Sequence, residues 1–149
     1  MKARREGSGF ALVTLAWTLV WCVDLAQAWR DSPYDRFGWL AAAGWVAWVW
    51  LAGRRAKCVP GLWLAAAWGV SFVGVAGELN VLQHAGLALA GAAWAGGGRR
   101  GMIALVLALG WVPALGWALK GAGADVVPGL RVAMALVAAG LAWRERRAA

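Results

Sequence analysis

Six apolar runs, at about 10–28, 39–53, 60–77, 80–96, 102–119 and 128–143, divide this chain, with short polar or glycine-rich breaks between them. The first is close to the ~20 residues that a helix needs to span a bilayer, and the second is shorter. Pro33 and Gly38 punctuate the first break, and Pro60-Gly61 opens the third run, where a helix-starting Pro costs no hydrogen bond. A tight turn is expected around Glu78-Leu79-Asn80, and Gly96-Gly97-Gly98-Arg99-Arg100 ends the fourth run. Pro113 lies inside the fifth, where a kink is predicted. The pattern predicts an all-α fold: a polytopic membrane bundle of about six transmembrane helices, forming one integral membrane domain over residues 1–149. Asp24 and Gln27 precede no small-x-small cleavage site, so the first run reads as a retained span rather than a signal peptide.

Composition strengthens that picture. Of 149 residues, 62% are hydrophobic and 15% charged, and 13 are Trp. Average soluble usage is roughly half apolar and about a quarter charged. A soluble domain of this size has too much surface for its volume to hide so much apolar area.

Charge then orients the bundle. With the N-terminus inside, Lys2, Arg4, Arg5, Arg54, Arg55, Lys57, Arg99, Arg100, Arg144, Arg146 and Arg147 all fall on the inner side. Arg30, Arg36, Lys120 and Arg131 are left outside, together with Asp24, Asp31, Asp35, Glu78 and Asp125. This is the positive-inside distribution and predicts both termini inside, in a multi-pass protein of the bacterial cytoplasmic (inner) membrane. The net charge of +8 does not point to nucleic acid, because the cations sit in short clusters without interleaved aromatics. Membrane lipid is the expected surrounding.

Candidate chemistry concentrates near the outer ends of the runs. Glu78, Asn80, Gln83 and His84 place an acid, two amides and the single histidine within seven residues at the start of the fourth run. Such groups in lipid must be satisfied by protein or water. The predicted topology also brings Cys22 and Asp24, near the end of the first run, to a depth similar to that of His84 and Arg131. At 1.5 Å per residue, Cys22, His84 and Arg131 would lie within ~10 Å in depth. One reading is catalytic: a Cys22 nucleophile, a His84 base and Arg131 as oxyanion stabiliser, with Asp24, Glu78, Asn80 and Gln83 as binding groups. The other is a satisfied polar network, with Arg131 paired to Asp24 or Glu78, His84 bonded to a carbonyl, and Cys22 a small buried hydrophobe.

Two cysteines and one histidine do not make a zinc site, so no metal or cofactor is expected. Cys58 lies beside Lys57 and Arg55, where a thiolate is favoured or acylation is feasible; an ordinary loop cysteine is the plainer reading. Gly86, Gly91, Gly110 and Gly116 suit close helix approach. Val-Pro-Gly-Leu occurs at 59–62 and 127–130, which raises the alternative of inverted halves, as in small transporters.

The stretch from Trp29 through Asp31, Tyr34 and Gly38 to Leu40 resembles the first outer loop of exosortases and archaeosortases. The similarity continues through an aromatic-rich run, Arg54-Arg55 and Pro60-Gly61-Leu62, covering roughly residues 15–75. The resemblance implies a polytopic membrane protein acting in or beside C-terminal sorting of exported surface proteins, engaging their hydrophobic C-terminal tails. The family's Cys-containing motif is missing, and His84 precedes Arg131 against the family order, so no catalytic residue is carried over. The alternative is a non-catalytic partner or scaffold of another membrane protein.

Overall fold

Residues 7–123 and 125–148 are described by the computed structural model; Lys2, Arg4, Arg5 and Glu6 lie outside them. Eight α-helices follow in order: α1 (Ser8–Val20), α2 (Asp24–Asp31), α3 (Gly38–Arg55), α4 (Gly61–Ala76), α5 (Asn80–Trp94), α6 (Gly98–Ala108), α7 (Pro113–Ala118) and α8 (Val126–Arg147). A 3-10 turn, Lys120–Ala122, precedes α8. Among the described residues the fold is all-helical, as expected.

The breaks are where the helices depart from the six runs. The first run is two helices, α1 and α2, with a bend between them at 21–23. Before the bend, the Thr14 and Thr18 hydroxyls and the Cys22 thiol each donate back to the carbonyl four residues earlier. Such back-bonding competes with the helix ladder and bends it. The fifth run is also two helices. Pro113 lacks an N–H and pushes Val112 to an extended conformation (φ −73, ψ 128), so α6 ends and α7 starts afresh instead of kinking. One helix, α8, is long and apolar enough to cross a membrane alone, and α1 with α2 passes the same test as a bent pair. At 1.5 Å per residue, the 16 residues of α4 rise ~24 Å, short of a ~30 Å hydrocarbon core.

The described residues form two compact units, one within Met1–Cys22 and Val49–Leu105, the other within Val23–Trp48 and Val106–Ala149. In the first, α1 packs on the α4–α5 hairpin. Its buried face carries Ala11, Thr14 and Thr18, and Trp68 Nε1 donates to Thr14 Oγ1 at 2.9 Å. The hairpin turn closes with Leu79 N–H on the Gly74 carbonyl and Glu78 N–H on Val75, leaving Glu78 at φ 54. This is a Schellman closure, which normally takes Gly at that position. The turn after α5 closes in the same way, Gly97 on Ala92 and Gly96 on Ala93, with Gly96 at φ 99. Within the hairpin, a Cβ on Gly86 would fall 1.8 Å from Ser71 Oγ, so only glycine admits this approach of α4 to α5.

In the second unit, the first part of α3 packs against α8 and the segment that joins α6 to α7. Cβ atoms on Gly44 and Gly110 would sit 3.1 Å from Ala138 and Met134 Cβ respectively. Trp45 meets Trp111 edge to face at 5.3 Å, and both are buried.

Candidate functional site

The most organised polar group lies in the second unit, and it begins with the break at Pro113. A helix leaves its last carbonyls without partners, and Pro113 offers no N–H to help. Three successive carbonyls follow the end of α6, at Gly110, Trp111 and Val112. Each receives a side-chain donor. Arg131 Nη1 donates to Gly110 O at 2.6 Å, Trp29 Nε1 to Trp111 O at 3.0 Å, and Arg131 Nη2 to Val112 O at 3.2 Å. Arg131 Nε donates further to Tyr34 O at 3.2 Å, and Nη2 forms a short ion pair with the Asp35 carboxylate.

Arg131 is 0% exposed and Asp35 6%. Burying a guanidinium is tolerable only with a counter-charge and good acceptors, and both are present here. Local sequence supplies the geometry. Ser32 to Gly38 forms a turn in which Asp35 N–H bonds Ser32 O and Gly38 N–H bonds Asp35 O. Gly38 has no side chain because the Trp29 ring occupies its place, 2.4 Å from where a Cβ would lie. Gly116, on α7, leaves room for the pair: a Cβ there would meet Asp35 Oδ1 at 2.7 Å.

The other expected site residues are distributed differently. Cys22 and His84 lie in the first unit, both buried. Cys22 Sγ donates to Thr18 O at 3.3 Å and lies 3.7 Å from Gln83 O, so the thiol abuts the residue next to His84. Gln83 is buried and its amide donates to Gly74 O at 3.2 Å, tying α5 to α4. Glu78 and Asn80 are exposed in the turn. Asp24, in the second unit, lines a shallow open depression of about 390 Å³ with Gln27, Ala28, Asp31 and Ser32. At its edge the exposed Arg30 Nε donates to Asp31 at 2.8 Å. Cys58 is exposed.

One expectation is corrected. The partner of Arg131 is Asp35, not Asp24 or Glu78. Trp29, Tyr34, Gly110, Val112 and Gly116 were not singled out as its companions. The available signal was Pro113: a broken apolar helix needs donors, and Arg131 is the nearest cation downstream within an apolar run. Among the described residues, no group of three or more His, Cys, Asp or Glu side chains could hold a metal ion.

Comparison with known proteins adds no relative: no family model, no curated protein and no solved structure matches this chain.

Proposed function

We propose that this chain is an integral membrane protein of about six membrane-embedded segments, N-in and C-in, that serves as a non-catalytic partner in or beside the sorting of exported surface proteins. The observation that carries the non-catalytic reading is Arg131. Four of its N–H contacts are spent on Tyr34, Gly110, Val112 and Asp35, and none of its surface is open. A guanidinium so engaged holds a broken helix together and has no face for a developing oxyanion.

Two further facts support the membrane setting. Large apolar side chains stand exposed along several helices, among them Val13 and Leu19 on α1, Phe72 and Val73 on α4, and Leu136 and Val137 on α8. Soluble surfaces rarely carry apolar residues on this scale, whereas lipid accepts them. Among the described residues α8 is long and apolar enough to cross alone, and α1 with α2 passes as a bent pair. The sorting context rests on the resemblance of the Trp29–Leu40 loop, whose Trp29, Tyr34, Asp35 and Gly38 are the residues that build the Arg131 assembly.

A second reading, a thiol enzyme, draws on one observation: Cys22 abuts Gln83, beside His84. One experiment separates the two. Intact masses of exported proteins with C-terminal hydrophobic tails are compared in cells with wild-type chain, Cys22→Ala, or no chain. Trimming lost without the chain but retained with Cys22→Ala supports the partner role. Loss in both supports the enzyme, and no change in all three defeats the sorting context.

A further inference from the structure

We propose that one end of the first unit is a binding surface for anionic lipid headgroups; this rests on the membrane reading above. Five cations gather there from two separate parts of the sequence. Arg54 and Arg55 end α3 and Lys57 follows, while Arg99 and Arg100 open α6. The two loops that carry them touch. A Cβ on Gly96 would lie 2.8 Å from Ala56 Cβ, and one on Gly97 would lie 2.7 Å from Pro60 Cγ. Gly96 and Gly97 take positive φ values of 99° and 65°, which let the second loop fold down onto the first.

Among its described residues the surface has one sign. Among the described residues of this unit the single acid is Glu78, which lies in the α4–α5 turn at the opposite ends of α4 and α5 from this surface. Arg54, Lys57 and Arg99 are exposed, and Arg55 and Arg100 are half-buried. Indoles lie just beneath. Trp63, half-buried, has its Nε1 3.2 Å from where a Gly97 Cβ would be, and its ring edge 3.5 Å from the same point on Gly101. Trp50 stacks on Trp94 at 5.6 Å, one turn before the cations of α3. An indole layer below a cationic layer matches the order of the lipid interface, where amphipathic rings sit at headgroup level and cations reach the phosphates. Each exposed cation near an anionic leaflet contributes on the scale of a five-fold change in affinity.

The test uses the full chain, purified in non-ionic detergent and delipidated. Its thermal midpoint is followed against phosphatidylglycerol, cardiolipin, phosphatidylcholine, inorganic phosphate and polyglutamate. The two anionic lipids are expected to stabilise it at concentrations where the other three do not. In Arg54→Gln/Lys57→Gln/Arg99→Gln the half-maximal lipid concentration should rise about a hundred-fold, five-fold for each charge. Arg54→Lys/Arg99→Lys should restore wild-type behaviour, which separates charge loss from misfolding. Arg144→Gln/Arg146→Gln/Arg147→Gln, in the other unit, should leave the response unchanged. Equal stabilisation by phosphatidylcholine, an equal response to phosphate or polyglutamate, or loss of the response in the α8 variant would each overturn the site. Carbonate washing of membranes reads the underlying premise. Release of the wild-type chain defeats the membrane reading and this site together, whereas retention without anionic preference defeats the site alone.

Discussion

Asp35→Ala isolates the counter-charge of the Arg131 assembly. In the wild type Arg131 is 0% exposed, and among the described residues its counter-charge is Asp35. The substitution leaves three carbonyl acceptors in place and removes the negative charge. Breaking a buried ion pair from one side costs about 3–5 kcal/mol, because the remaining charge stays desolvated. Asp35 lies in a turn and is 6% exposed, so some water can follow the truncation, and we expect the lower end, about 3 kcal/mol. At 1.4 kcal/mol per decade that is roughly a hundred-fold in the unfolding equilibrium. Asp35→Asn keeps an acceptor and should lose about half as much. Arg131→Met should be worse than Asp35→Ala, since it strips the donors from Gly110, Val112 and Tyr34 carbonyls, each costing about 1–3 kcal/mol when buried. The assay is unfolding by sodium dodecyl sulfate in mixed micelles, followed by far-ultraviolet circular dichroism. Asp35→Ala within about 0.5 kcal/mol of wild type, or Arg131→Met milder than Asp35→Ala, would refute the account.

Two further substitutions probe the α4–α5 hairpin by the same assay. Gly86→Ala drives a Cβ to 1.8 Å from Ser71 Oγ and should cost about 1–3 kcal/mol; Ser71→Ala should recover part of it, because the Ser71 Cβ remains at 3.0 Å. A neutral Gly86→Ala would show that α4 and α5 are not held this closely. Glu78→Gly removes a left-handed conformation from a residue with a Cβ, at the position that Gly96 fills in the next turn, and should stabilise by about 1 kcal/mol. A destabilised Glu78→Gly would mean that the Glu78 side chain matters more than its backbone strain.

The pattern of apolar runs and breaks determined the helical class, the turn at Glu78 and the glycine closure after α5, because these depend on local conformational preference and on periodicity. Only the tertiary structure decided where two of the runs break. Whether Pro113 kinks a helix or ends it depends on donors from elsewhere, and here Arg131 and Trp29 satisfy the freed carbonyls from 19 or more positions away in sequence. The choice of Asp35 over Asp24 and Glu78 was equally non-local. All three acids fall on the same predicted side of the membrane, and depth alone does not distinguish them. What does is the turn between Ser32 and Gly38, held by Trp29 against a glycine, which carries one carboxylate to the guanidinium.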